Sequence, residues 1–541
     1  MRLLSFPITA LLLAATTVTI VDADGEASPS TSSCMASDHP DKVHSLPGWN
    51  MPLPSAWYSG YLDYELEGEQ VHTHYVLIEA EDDSTGNENV SEKPLIYWSN
   101  GGPGASSLFG LLTEVGPLIL SDESLKTDEY RATGIPTPIY NPSSWTKLGS
   151  ILIIDQPAPV GFSYCNSDDT VDPEAQNCGD IAWTDELASL NSYTALQTFF
   201  AQNSCWRDKE LYLTGESYGG IYIPTLARRI VNDPANDIQL KGFAVGDGCL
   251  GVETEICGDL SLSNNDLIGQ YYWTMLFMAG HHQMPLQDFQ EFLGACDHVA
   301  RRSDPNYIVD TVKDSQCEAV IKRIQKELGG FFVYSLYDEC TYRNGLMAPS
   351  DLNPHHDIKN NLYPTGYPCG GGVVMEDYLK LDAVKEALHV RSSFFETDNA
   401  EGDFRYTPTE PDLSNFYQEI NGKLKVLVYN GDTDPAINSF AAQNWTSHLG
   451  FEETESWRPW TVDGCKRMGG YVQRYEGNFD FLTIRGAGHM VPTYKPEASF
   501  TFLRAWLNDE DYPAFEPDCT QPTQLKNRVE VFDIEESSSL L

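Results

Sequence analysis

Ser217 stands at the centre of Gly215-Glu216-Ser217-Tyr218-Gly219, a G-x-S-x-G pattern. Five such residues recur by chance in many proteins, but here the apolar run Leu211-Tyr212-Leu213 precedes them and a helix-compatible segment, 223–229, follows. That is the setting of a nucleophile elbow, a sharp strand-to-helix turn that exposes a serine hydroxyl. A neutral serine attacks poorly and needs a base, itself oriented by a carboxylate. Two downstream loops offer them in the chain order that such elbows use: Gly431-Asp432-Thr433-Asp434 after the apolar run 426–429, and Gly486-Ala487-Gly488-His489 after the run 481–484. Singly, each reads equally well as a turn residue or a structural histidine. Three in order, each after a strand, read as a hydrolytic set, with Asp432 and Asp434 both open as the carboxylate. The oxyanion of such a reaction needs N–H donors. Trp98-Ser99-Asn100-Gly101-Gly102-Pro103-Gly104 supplies a glycine-rich loop at the end of the run 94–98.

The elements that must position these loops follow from the apolar pattern. Short runs recur at 94–98, 151–154, 211–213, 242–245, 426–429 and 481–484, each ended by Gly, Asp or Pro. Uninterrupted apolar strands are buried on both faces, as in a mainly parallel sheet. Helical patterns lie between them, as in Leu187, Leu190, Leu196, Phe199 and Phe200, so the class is α/β. Alternation at 57–64 and 74–78 predicts an antiparallel hairpin ahead of that sheet. From 251 to 420 the pattern loosens around five cysteines, a Met/aromatic stretch near 271–292 and Gly370-Gly371-Gly372, which reads as a helical, disulfide-bearing cap. The expected division is a signal peptide at 1–23, a flexible arm at 24–45, the core at 46–250 and 421–519, the cap at 251–420, and an acidic tail at 520–541.

With 34 Lys+Arg against 79 Asp+Glu, the 541-residue chain carries a formal charge of −45. That repels phosphate backbones and anionic lipid, so nucleic acid is excluded as a partner. Arg2 followed by a short apolar core and Val21-Asp22-Ala23 reads as a cleavable secretory signal. Twelve cysteines, all beyond it, suit an oxidising compartment. No later stretch is long enough to span a membrane, so a soluble, lumenal or extracellular chain is expected, either secreted or held in a vacuole or lysosome. Asn89-Val90-Ser91 and Asn444-Trp445-Thr446 are glycosylation sequons. No CxxC pair or Cys/His cluster has metal spacing, so neither metal nor cofactor is expected.

Six motifs together resemble the serine carboxypeptidase family: the glycine-rich loop 98–104, Asp155-Gln156-Pro157 with Gly161-Phe162-Ser163-Tyr164, the elbow 215–220, Ala387-Leu388-His389-Val390, the loop 429–434, and the loop 486–492. The resemblance spans about 45–510 and implies an α/β-hydrolase fold. It implies Ser217 as nucleophile, His489 as acid/base and Asp434 as its orienter, with the oxyanion donors on the backbone of Gly102 and Tyr218. The substrate's free C-terminal carboxylate would be held by Asn100, backbone Gly101, Glu114 and Glu216, and its last side chain by Ile437 and Met490. Three positions depart from the family pattern. Ala105 stands where a bridging cysteine is usual, Ser99 where leucine is common, and Asp247 where asparagine is frequent. None is expected to touch the hydrolytic set.

The activity implied is release of C-terminal amino acids from peptides and proteins via an acyl-enzyme, most active at acidic pH and favouring apolar residues. It leaves open a homodimer. The alternatives are an acyltransferase on the same scaffold, whose elbow typically reads Gly-Asp-Ser where this chain has Glu216, and a non-catalytic binding glycoprotein, against which the intact set argues.

Overall fold

Every apolar run singled out above forms a strand of one twelve-stranded mixed sheet. The computed structural model describes residues 34–35, 38–82, 92–166, 178, 181–254, 256–257, 271–296, 315–329, 331–338, 371–392, 395 and 404–520. The expected signal at 1–23, Asn89, Cys340, Cys369 and the tail beyond 520 lie outside them, as does most of the arm. The anticipated hairpin is β1 (Trp57–Leu66) and β2 (Glu69–Ile78). The remaining principal strands are β3 (Leu95–Ser99), β4 (Ser150–Ile154), β5 (Glu210–Glu216), β6 (Gln239–Gly246), β7 (Lys425–Gly431), β8 (Glu453–Thr461), β9 (Met468–Tyr475) and β10 (Phe479–Ile484). Their order is β1-β2-β4-β3-β5-β6-β7-β10-β9-β8. The six central strands β4, β3, β5, β6, β7 and β10 pair in parallel, and antiparallel hairpins close both sides. This is the α/β-hydrolase arrangement that the resemblance implied.

Successive side chains of a strand point to opposite faces, and the central strands are buried on both. Leu95 and Tyr97, Leu211 and Leu213, and Val426 and Val428 enter one apolar cluster. Ile96 and Trp98, Tyr212, and Leu427 and Tyr429 enter the other. Helices α1 (Asp185–Gln202) and α2 (Gly219–Asn232) supply much of the first cluster. The Thr184 hydroxyl accepts the Leu187 N–H to cap α1, whose first turn carries Asp185 and Glu186, the charge that a helix N-terminus favours.

The segment read as a cap contains α3 (Tyr271–Gly280), α4 (Leu286–Ala295), α5 (Ser315–Leu328) and α6 (Gly371–Leu379). The first three build a separate apolar cluster around Phe277, Met278, Phe292, Ile321 and Ile324, tied by the Cys296–Cys317 disulfide. Val374 and Met375 of α6 instead join the second core cluster. Further on, α7 (Ser439–Ser447) covers β7, and α8 (Pro496–Leu507) contributes Phe502, Leu503 and Trp506 to the second cluster. Four more disulfides join Cys34–Cys205, Cys165–Cys178, Cys249–Cys257 and Cys465–Cys519. Among the described residues no helix is long and apolar enough to cross a membrane.

Close backbone approach anchors α2 behind the elbow. A Cβ on Gly220 would lie 2.4 Å from both the N and the O of Cys249, backbone atoms that cannot swing aside. Gly294 in α4 has nothing within 4 Å of where its Cβ would be. Gly220→Ala is therefore expected to lower stability by about 1–3 kcal/mol, whereas Gly294→Ala should raise it by about 0.5–1 kcal/mol. Denaturant midpoints of the two variants would check this, and equal shifts would contradict it.

Candidate active site

The loops after β5, β7 and β10 leave the same edge of the sheet because those strands run parallel with only β6 between them. Ser217 follows β5 in a left-handed conformation, φ 60°, uncommon for a residue with a Cβ and expected at a strained elbow. Its N–H donates to Gly246 O at 3.0 Å, and its carbonyl accepts the Cys249 N–H at 3.0 Å, so the β6 loop braces the turn. Asp434, fully buried, accepts from His489 Nδ1 at 2.7 Å and from the N–H groups of Ala436 and Ile437 at 2.8 and 3.2 Å. With Nδ1 so engaged, the imidazole presents Nε2, which is buried and has no hydrogen-bond partner. Of the two carboxylates left open by spacing, Asp434 is the one hydrogen-bonded to His489. Asp432 instead accepts the Gly486 N–H at 2.5 Å, tying its loop to the one that carries His489.

Beside the elbow lies a cluster that is polar yet dry. Glu216 is 4% exposed and Glu114 2%, and Asn100 Nδ2 donates to Oε1 of each, at 2.9 and 3.3 Å. The Asn100 carbonyl accepts from Trp98 Nε1 and from the Gly110 N–H, which fixes the amide's orientation. Glu114 sits in a single π-turn, Leu111–Val115, a local widening that often marks functional positions. Oε2 of both glutamates is buried without a hydrogen-bond partner. Burial pushes Glu114 up to about 7. Burial and the neighbouring Glu114 hold Glu216 well above the ordinary carboxyl range.

Gly101 and Gly102 are glycines by necessity. A Cβ on Gly101 would lie 2.3 Å from the Tyr218 nitrogen, and Gly102 has φ 107°. The loop backbone at Gly101 is thereby pressed against Tyr218 at the start of α2. Tyr218 is held from its far end, its hydroxyl donating to Asp185 at 2.6 Å. The same carboxylate accepts from Tyr406 and from the N–H groups of Thr409 and Glu410. Ile437 and Met490 are buried beside Asp434 and His489 in the chain, but in different apolar clusters. Asn444 lies half-buried in α7, where the Thr446 hydroxyl donates to Ala442 O.

Three contacts were not legible in the sequence, and one expectation is overturned. Asp247 does touch the hydrolytic set: an oxygen of its carboxyl, one of Asp434 and a ring nitrogen of His489 all lie within 4.8 Å of one another. The recorded departure from asparagine was the signal, and it becomes legible only once β6 is known to lie beside β7. Asp155, which accepts from the Ser106 hydroxyl and the Ser107 N–H, is buried and pushed up to about 7 by desolvation. Tyr334, from the segment after α5, stacks on His489 with ring centroids 4.7 Å apart, and its carbonyl accepts the His489 N–H at 2.7 Å.

Comparison with known proteins bears on the family and the fold. A profile of the serine carboxypeptidases matches residues 47–509. The lysosomal protective protein of Mus musculus is 31% identical, over 87% of this chain and 94% of its own. Serine carboxypeptidase ctsa-4.1 of Caenorhabditis elegans is 30% identical over 89% and 96%. The crystal structure of a prohormone-processing carboxypeptidase, Kex1(delta)p of Saccharomyces cerevisiae, superposes with a TM-score of 0.64 at 19% identity, covering 88% of this chain and 97% of that one. That likeness is one of fold. A profile running through both halves of the sheet and the segment between them, with relatives aligned over most of their length, leaves one conclusion: the chain belongs to the serine carboxypeptidase family.

Proposed function

We propose that the protein releases C-terminal residues from peptides and proteins at acidic pH, through an acyl-enzyme on Ser217. The observation that carries the exopeptidase reading is the Glu114–Asn100–Glu216 cluster immediately before the nucleophile. Protonated glutamates and the Asn100 amide can donate to a carboxylate, which an internal peptide bond does not offer. Ser217 Oγ attacks the last peptide carbonyl and His489 Nε2 takes its proton. The N–H groups of Gly102 and Tyr218 receive the oxyanion. The C–N bond breaks as His489 returns the proton to the departing amine. Water entering where the amino acid left gives its proton to His489 and attacks the ester, and Ser217 leaves reprotonated. Asp434 holds the ring in the tautomer that frees Nε2. Five disulfides among the described residues and a lysosomal relative support a lumenal site in the secretory pathway, secreted or retained in an acidic organelle. Asn89 and Asn444 are proposed glycan acceptors there.

The pH dependence has a definite sign. Burial pushes Glu114 up to about 7, and burial with the neighbouring Glu114 holds Glu216 well above the ordinary carboxyl range, so acidic pH favours the neutral forms and rising pH removes their protons. Each loss removes a donor and adds a charge that repels the substrate's carboxylate. KM for a blocked dipeptide should therefore climb by about tenfold per pH unit once Glu114 ionises, while an ester lacking the free carboxylate escapes the rise. Glu114→Gln with Glu216→Gln should flatten the profile, and a profile as steep as wild type would contradict the grip.

Two further outcomes test the assignment of residues. Ser217→Ala should abolish labelling by an organofluorophosphate, and Asp434→Asn should cut kcat by about 10⁴-fold, whereas Asp432→Asn should leave labelling in place. Met490 and Ile437 offer apolar, polarisable surface to the leaving residue and no partner for a cation. C-terminal Leu and Phe should accordingly be released faster than Lys and Arg, and Met490→Glu should reverse the order. Faster release of Lys and Arg by wild type would refute the pocket.

A further inference from the structure

We propose that Asp247 is a positioning residue whose protonated carboxyl donates a hydrogen bond to Asp434 and so holds His489 in place. The inference rests on the reading of Ser217, Asp434 and His489 as the hydrolytic set. Asp247 and Asp434 are both 0% exposed, on adjacent loops after β6 and β7. Two ionised carboxylates buried within 4.8 Å of one another would combine the desolvation of two charges with their mutual repulsion. One proton between them removes both penalties.

Counting donors assigns that proton. Asp434 receives three hydrogen bonds, from the Ala436 and Ile437 N–H groups and from His489 Nδ1, and so is supported as the anion. Asp247 receives Asn430 Nδ2 at 3.1 Å and the N–H of Gly431, which its two oxygens share at 3.0 and 3.1 Å. Its Oδ2 thus has only a shared donor and is free to carry hydrogen. Burial first, and the charge of Asp434 next, hold Asp247 well above the ordinary carboxyl range. The titratable groups around it are Asp434 and His489 on their loops, Glu216 at the end of β5, and Tyr429 of β7, whose carbonyl accepts the Asp247 N–H at 2.8 Å. Of these only His489 can become positive. The 2.7 Å from His489 Nδ1 to Asp434 Oδ2 is shorter than the roughly 3.3 Å that two zinc–ligand bonds span at a tetrahedral angle, so these two atoms are hydrogen-bonded rather than joint ligands of a metal.

Loss of the Asp247 proton therefore has two effects on the reaction. Asp434 loses a donor that orients it, and repulsion between the two facing carboxylates displaces it from His489. Activity should close at high pH for a reason separate from the substrate grip. An asparagine at this position donates at every pH.

The test compares wild type, Asp247→Asn and Asp247→Leu on an ester without a free carboxylate, so that Glu114 and Glu216 drop out of the readout. Wild-type kcat should fall in the alkaline range. The Asn variant should keep its rate, its advantage growing by about tenfold per pH unit after Asp247 ionises. The Leu variant, with no donor, should be slow at every pH, with kcat affected and KM little changed. An Asn variant that shares the wild-type alkaline fall, or that is as slow as Leu at pH 5, would overturn the proposal. Thermal midpoints give a second readout that needs no activity. The unfolded chain releases the Asp247 proton near pH 4 and the folded chain only well above it. Wild type should thus lose stability relative to Asp247→Asn as pH rises through that interval. A gap that stays constant with pH would equally overturn the assignment. Failure of the wild type to label at Ser217 would sink the hydrolytic reading while leaving the thermal test of the Asp247 proton decisive.

Discussion

Desolvation of carboxyl groups at one edge of the parallel sheet is the constraint on which the rest of this structure depends. Asp155 follows β4, Glu216 ends β5, Asp247 follows β6 and Asp434 follows β7, and all four are buried. A buried carboxyl must be paired, richly hydrogen-bonded or protonated. The protein uses all three solutions within a few strands. Asp434 is surrounded by donors, one of them the imidazole of His489. Asp155 takes a hydroxyl and an N–H from Ser106 and Ser107 and is still pushed up to about 7. Glu216 and Asp247 are left with too few donors and retain hydrogen instead.

The same constraint explains what the fold must hold rigid. Asn100 has one amide for two glutamates, so Trp98 and Gly110 fix its carbonyl from the opposite side. The Gly-rich loop can meet Tyr218 only without side chains at Gly101 and Gly102. Tyr218 is in turn anchored through its hydroxyl to Asp185, which also gathers the segment 406–410. Arg228 of α2 closes that network through Glu410. Residues far apart in the chain thus fix the backbone on both sides of Ser217, and small rearrangements there would move N–H donors whose usefulness depends on fractions of an ångström.

What could be read from the sequence was what is local or doubly buried. The central strands announced themselves because burial on both faces leaves an uninterrupted apolar run. The β8–β9 hairpin did not, since Glu453, Thr454 and Ser456 face water on an edge strand and Pro459 argues against a strand altogether. Ser217 and His489 were legible through chain order and the strand before each, whereas Asp432 and Asp434 follow the same strand and differ only in that Asp434 is the one hydrogen-bonded to His489. Asp247 was visible only as an asparagine replaced, because its meaning lies in the pairing of β6 with β7. Tyr334 carried no signal: its contact with His489 depends on where a segment of the insertion returns to the core. The division into two core apolar clusters and a third within the insertion likewise follows from packing that no single run of residues encodes.

Protons held by buried acids link the fold to the chemistry. Glu114, Asp155, Glu216 and Asp247 all have folded pKa values above those of the unfolded chain, so folding takes up protons. Their stabilising balance is complete below the unfolded values near 4 and declines as pH rises toward about 7, where Glu114 and Asp155 begin to ionise inside the fold. Asp63, held low by its hydrogen bond to His72 and by Arg391, acts oppositely, but it is half exposed and solvent screens it. The net charge of −45 adds surface repulsion that also grows with pH. The conditions that keep Glu114 and Glu216 neutral are thus those in which the buried edge of the sheet is least strained. Only the demand that His489 be neutral pulls toward higher pH, and a protonated Asp247 eases that demand by placing a hydrogen bond, rather than a second negative charge, behind the Asp434–His489 pair.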